Sequence, residues 1–414
     1  MNQQPKRSNQ MLREMYNSLK THLNAKDFQK AYEIATAILN ENDPFWTKQV
    51  NRYLPWILFN LKLKSQRISL EELHQTVETI VTLSERKNGF VLRSVSILAS
   101  ETLKKADRKK GLQILQSANE LLDKINVDEL SDKPLESSKY KDKAGKNKVL
   151  PSEREKWYQL KTKILLVLKK YDECIQQCRN ALKVSNLIDP VWFYYRIACA
   201  SSYIGKYEEG LEALEKVLLY KDDWYVQKLF FEIYAKMKDF DNALKYGCRT
   251  ALNSASDSQK LTFYLNFADF LKAHNYKREA DLHYYLYLKT LEKMKDGQKN
   301  DTNVKRVYGS LTDKNVVKMR EQDVRSELAK FWKDNKFRNE KQLEGTVAKV
   351  INNGAGFIKS SDSQSYYFKL EDVENAPKSA HELRNKKVKF YPTKSYDKKK
   401  GMESWAAVGI VVVE

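Results

Sequence analysis

The chain has 414 residues, 42% of them hydrophobic, which supplies cores for about two to four domains and excludes disorder throughout. Its 74 Lys and Arg against 54 Asp and Glu give a formal net charge of +20, which calls for an anionic partner such as RNA, DNA, acidic lipid or an acidic protein. No apolar run reaches the roughly 18 residues that span a bilayer, and the N-terminal MNQQPKRSNQMLREMY lacks the apolar stretch of a secretory signal, so a cytoplasmic location without a membrane partner is expected.

Proline and glycine divide the sequence. No proline falls between Pro190 and Pro377, whereas five of the thirteen glycines (Gly345, Gly354, Gly356, Gly401, Gly409) follow residue 340, so long helices are expected first and turn-rich strands last. Residues 1–125 read as degenerate helical repeats. AKDFQKAYEIATAIL places Phe28, Ala31 and Ala35 at helical spacing before Pro44, DRKKGLQILQSANELL does the same with Gly111, Leu115 and Ala118, and a weaker pair lies around residues 53–84. Residues 126–155 lack apolar periodicity and carry Pro134, Gly145 and Pro151, which predicts an exposed, mobile insertion.

Residues 156–293 repeat openly. Tyr171, Tyr207, Phe240 and Tyr276, spaced 36, 33 and 36 residues apart, each open the second helix of a pair, and a small residue (Cys174, Gly210, Ala243, Ala280) follows three or four positions later, where two helices must approach closely. These residues resemble the tetratricopeptide repeat family, which implies a solenoid of helical hairpins and a protein partner on its surface. The aromatics of the first helices (Tyr194, Tyr195, Phe230, Tyr234, Phe267) are expected mostly to pack between repeats. Cys174 and Cys178 lie one helical turn apart, but Cys199 and Cys248 bring no paired ligand, so the cysteines are read as small core residues and no metal or cofactor is expected.

Residues 294–340 read as a basic connector, polar at first and then helical from near Asp313, with Leu328, Phe331 and Trp332 available to pack on a neighbour. From residue 341 the pattern changes to five short β-prone runs, LEGTVAKVI, AGFIKS, SYYFKL, KVKFYPT and SWAAVGIVVV, as expected of a small closed barrel. The opening Leu343-Glu344-Gly345, the Gly354-Ala355-Gly356-Phe357-Ile358 element and Tyr367-Phe368-Lys369 resemble, in order and spacing, a cold-shock domain of the OB-fold class. That resemblance implies binding of single-stranded nucleic acid on aromatics of the second and third strands. Alternation then places Phe357, Tyr367 and Lys369 on one face. Lys349 and Lys369 stand where the family carries Trp and His, and Ala355 replaces an aromatic, so the resemblance implies weaker stacking and stronger backbone contact. Trp405 is a candidate replacement platform, and Lys398, Lys399 and Lys400 a neighbouring basic loop.

The sequence is thus read as mainly α, a tetratricopeptide-like helical-hairpin solenoid followed by a small five-stranded OB-fold β-barrel. The expected function is that of a non-enzymatic adaptor holding a protein on the solenoid and single-stranded RNA, or DNA, on the barrel. The alternative is a protein-only scaffold in a multi-protein defence or transcription-linked assembly. Arg278 and His283 resemble the Arg-x4-His motif of HEPN ribonucleases, but five residues turn them about 140° apart on a helix, which makes a ribonuclease the least favoured reading.

Overall fold

The computed structural model describes residues 7–64, 68–84, 87–104, 109–141, 145, 147–294, 303–361, 363–397 and 400–413. The chain divides into two compact units, Met1–Ile204 and Gly205–Glu414, so the division falls inside the 156–293 repeat region.

The first unit begins with α1 (Asn9–Asn24) paired with α2 (Phe28–Leu39), followed by α3 (Pro44–Asn51), α4 (Leu54–Leu58, continued by a π-helical turn), α5 (Leu70–Leu83), α6 (Asn88–Leu103) and α7 (Lys109–Asp123). The segment read as an insertion is ordered into a hairpin, β1 (Leu135–Lys141) against β2 (Asn147–Leu150). Its root is fastened by buried Leu130, by the Arg154 amide on the Ser131 carbonyl (3.0 Å) and by Asn88 Nδ2 on Glu129 (2.7 Å). Then come α8 (Glu153–Val167), α9 (Tyr171–Ala181) and α10 (Val191–Tyr203). Glu155 in α8 is fully buried, and its carboxylate accepts from the Ile188 and Asp189 amides (3.0 and 3.1 Å), fixing the loop that leads into α10. Charged acceptors make stronger hydrogen bonds than neutral ones, which offsets the cost of burying this carboxylate.

The second unit holds α11 (Tyr207–Leu218), the pair α12 (Trp224–Lys236) and α13 (Phe240–Leu252), the pair α14 (Leu261–Ala273) and α15 (Lys277–Lys293), then α16 (Asn303–Ser310) and α17 (Glu321–Asn335). The connector is therefore two helices, with a 3-10 turn at Lys314–Lys318 where the sequence pattern suggested one continuous helix. Leu328 and Trp332 of α17 are buried in the same core as Phe263, Phe267 and Leu271, so α17 closes the last hairpin. Buried Lys260 donates to the Ala251 and Asn253 carbonyls (2.9 and 2.8 Å), satisfying orphan groups where α13 ends.

One turn geometry recurs through both units. Lys26, Lys169, Lys238 and Asn275 all have positive φ (60°, 60°, 62° and 67°) two positions before the second helix of a hairpin begins. The amides of Asp27, Lys170, Asp239 and Tyr276 then reach back to the carbonyls of His22, Leu165, Tyr234 and Leu271. That closure satisfies free carbonyls at the first helix's end, and it shows that α1–α2 is built like the later hairpins. Cys174, Ala243 and Ala280 are fully buried where the helices meet.

The C-terminal part of the chain holds a five-stranded sheet, β3 (Leu343–Asn352), β4 (Ala355–Ser360), β5 (Ser365–Lys369), β6 (Lys387–Asp397) and β7 (Met402–Val413), closed on itself in the order β3-β4-β5-β7-β6. All neighbours are antiparallel except β5 and β7, and β3 pairs with β6 to complete the ring. Val347, Ile358, Phe368, Val388, Phe390 and Ile410 fill the interior. Gly356 is required there, since a Cβ would lie 2.5 Å from the Lys349 carbonyl and 2.6 Å from the Phe368 ring.

This sheet is seated on the helices of its own unit. Phe337 stacks on Tyr391 (centroids 4.1 Å apart) and fills the dent left by Gly409, whose φ of +56° and close contact exclude a side chain. Arg249 lies between the Tyr246 and Phe337 rings (5.3 and 5.5 Å) and binds Glu340 (2.7 and 2.8 Å), while Tyr246 stacks on Phe230 at 4.4 Å. A continuous column of rings and one guanidinium thus runs from α12 into β6.

Candidate nucleic-acid interface

Strand register decides which predicted site residues share a surface. Lys349, Phe357 and Tyr367 are direct partners across β3, β4 and β5, and Lys369 sits opposite Ala355 on the same side. Strict alternation along β3 would have turned Lys349 to the interior with Val347, but a bulge between the two restores it to the solvent side. The rings of Phe357 and Tyr367 meet edge-on at 5.8 Å, both half-buried, whereas Lys349 and Lys369 are exposed. The Lys369 ammonium hydrogen-bonds Glu371 at 2.9 Å, which raises its pKa above the usual lysine value and neutralises part of its field.

The structure does not bring Trp405 to this surface. Ala406 is the residue beside Tyr367, so Trp405, one position away, lies on the opposite side of the sheet with its ring 6.3 Å from buried Tyr366. The physical reason is the two-residue period: the sequence located Trp405 near the start of the strand, but only the register fixes its side. Lys400 is exposed, with its amide on Asp397 (3.2 Å); Lys398 and Lys399 lie outside the described residues. The β6–β7 hairpin bearing that loop leans on α11 through Lys216–Glu403 (3.2 Å), Lys394–Glu215 (3.7 Å) and Tyr220–Tyr396 (centroids 5.1 Å).

Two cations on the solvent side escaped the sequence reading. Lys359 stands two residues after Phe357, so alternation alone could have found it. Lys387 joins the same cross-strand row only because β6 pairs with β3, a non-local fact. Lys349, Lys359 and Lys387 are all exposed, and none forms an ion pair among the described residues.

The other singled-out residues have structural employment. His283 is fully buried; Trp332 Nε1 donates to its Nε2 (3.0 Å), leaving Nδ1 to donate to the Glu279 carbonyl (2.6 Å), and burial pushes its pKa down to about 4. Arg278 is paired with Glu327 (2.9 Å). Phe230 and Phe267 are buried, while Tyr194, Tyr195 and Tyr234 are half-buried. Cys174 and Cys178 are buried, and no cluster of three or more potential metal ligands occurs among the described residues. No described helix is long and apolar enough to cross a membrane.

No protein-family model matches the chain, and no curated protein matches it. Among solved structures, a tetratricopeptide repeat protein from Parabacteroides merdae is 14% identical with a TM-score of 0.36, over 78% of this chain and 99% of its own. BtubC from P. vanneervenii is 14% identical with a TM-score of 0.25, over 64% and 92%. A signal transduction ATPase with numerous domains and a tetratricopeptide repeat sensor, from Pyrococcus horikoshii, is 15% identical with a TM-score of 0.26, over 77% and 44%. Scores this low carry no weight of their own, and the helical-hairpin architecture rests on the turn geometry and buried small residues above.

Proposed function

We propose that this chain is a non-enzymatic adaptor whose helical hairpins engage a protein partner and whose closed sheet binds single-stranded nucleic acid, RNA in preference to DNA. The observation that carries the reading is the Phe357–Tyr367 pair, set side by side on the solvent face of the second and third sheet strands beside Lys349, which has no ion-pair partner among the described residues. Aromatic platforms flanked by cations suit bases and phosphates together, since every base offers a π-face and every phosphate a charge. The strand order, with its parallel contact between the third and fifth strands, supports an OB-fold of the cold-shock kind, a class that uses this face for oligonucleotides. Helical hairpins in tandem offer extended surfaces to a protein.

The test is fluorescence anisotropy of labelled single-stranded RNA and DNA with the full chain across a salt series. Salt-dependent binding, tighter to RNA and with the RNA recovered intact, is the expected result. Absence of binding to either strand at low salt would leave a protein-only scaffold in its place.

A further inference from the structure

Beyond the aromatic pair, the outer face of the sheet carries a second row of residues that includes two exposed cations, Lys359 and Lys387. Next to the row Tyr367–Phe357–Lys349 runs a second row, Ser365–Lys359–Thr346–Lys387, each residue the register partner of the next across β5, β4, β3 and β6. Two residues of strand separate the rows, roughly 7 Å, a gap that one nucleotide spans. The second row borders a groove of about 630 Å³ whose lining includes Glu344, Gly345, Thr346, Lys359, Asn385 and Lys387. Its small side chains admit a sugar-phosphate backbone, and the Thr346 hydroxyl and Asn385 amide add hydrogen-bonding groups to the two ammonium groups. The Glu344 carboxylate in that lining is already paired with Lys389 at 3.3 Å.

The opposite exit offers less. Across β5 the neighbour of Tyr367 is Ala406, which has no charge, and Lys369 on that side is held by Glu371. The β6–β7 hairpin farther along has Lys394 near Glu215 and presents Glu403 to Lys216. Cations already matched to carboxylates release fewer counterions on meeting a phosphate than unpaired ones do.

We infer that a strand stacked on Phe357 and Tyr367 leaves across β3, its phosphates held by Lys359 and Lys387 in the groove beside Thr346, and not along the Lys400 hairpin. This path rests on the proposed nucleic-acid reading and adds to it a direction and a second subsite. It also makes binding length-dependent, because a strand long enough to cover only the aromatic row gains nothing from the second.

The experiment uses the full chain with uridine oligomers of roughly three and ten nucleotides, the latter within the range of site sizes for such folds. Changing Lys359 and Lys387 together to Gln should reduce the salt slope on the longer oligomer by about 1.4, at about 0.7 per phosphate contact, and leave the shorter oligomer's affinity unchanged. The Lys359→Arg, Lys387→Arg pair should restore the slope, and Lys400→Gln should not change it. If the Gln pair leaves the long-oligomer slope intact while Phe357→Ala still weakens binding, the path is wrong and the aromatic site stands. If neither change matters in protein whose circular dichroism is unaltered, the path and the nucleic-acid reading both fail.

Discussion

The helical hairpins and the closed sheet draw on the same residue types and employ them in opposite ways. Around α12 to α17 the aromatics are interior: Phe231, Phe263 and Phe267 pack edge-on or stacked within 5.3–5.8 Å of one another. The cations there are matched, Arg249 to Glu340, Arg325 to Asp257 and Arg278 to Glu327. On the sheet, Phe357 and Tyr367 face outward and Lys349, Lys359 and Lys387 have no ion-pair partner among the described residues. Aromatic content and net charge therefore point to a ligand only after the partners of each side chain are known; much of this chain's positive charge is answered internally.

The sharpest way to break that contrast is to remove one aromatic of each kind. Phe267→Ala should cost about 3–5 kcal/mol of stability in chemical denaturation of the second unit, the usual loss for a buried ring, whereas Phe357→Ala should hardly shift the transition. Equal losses would mean that Phe357 is a core residue. Binding should show the reverse: Phe357→Ala with Tyr367→Ala should weaken single-strand affinity by about 2–4 kcal/mol, measured by anisotropy, since a stacked base contributes about 1–3 kcal/mol, and Phe267 variants that remain folded should bind normally.

Protonation gives a third separation. The folded-state pKa of His283 is lowered to about 4 from an ordinary value near 6.5, so the unfolded chain binds the extra proton between those limits. Stability from this group is complete above pH 6.5 and is lost as the pH falls toward 4, with a slope of up to about 1.4 kcal/mol per pH unit. Denaturation midpoints of the wild type and His283→Gln across that range should converge at low pH; parallel curves would show that His283 does not carry the effect. The smallest effect concerns the two lysines that the strand register places beside Phe357 and Tyr367. Lys349→Gln should lower the salt slope by about 0.7, and Lys369→Gln by distinctly less because Glu371 already answers its charge.

The parts of the fold that were legible in the sequence are those governed by local period. The small residues Cys174, Ala243 and Ala280, the five β-prone runs and the shared face of Phe357, Tyr367 and Lys369 all follow from spacing along one element. What escaped depends on another element or on an unusual turn. Lys169 and Lys238 adopt positive φ where glycine would have announced a turn, and β1 and β2 hide in a lysine-rich segment without alternation. The side occupied by Trp405 and the membership of Lys387 in the candidate site were set by which strand lies next to which, and the bulge that returns Lys349 to solvent leaves no mark in composition.

The seam at residues 336–342 bears on how a chain of this kind can be recombined. Were the sheet joined to a different set of helices at Leu343, Tyr391 and the dent at Gly409 would lose Phe337 and open to water, whereas Arg249, Lys245 and Asp241 would keep Glu340 and Arg338, which precede the cut. The natural unit of inheritance is therefore the sheet together with its seat on α13 and α17. A hybrid that carries Phe337 and those two helices along should stay soluble, whereas one cut at the first β-strand would expose a sticky apolar patch.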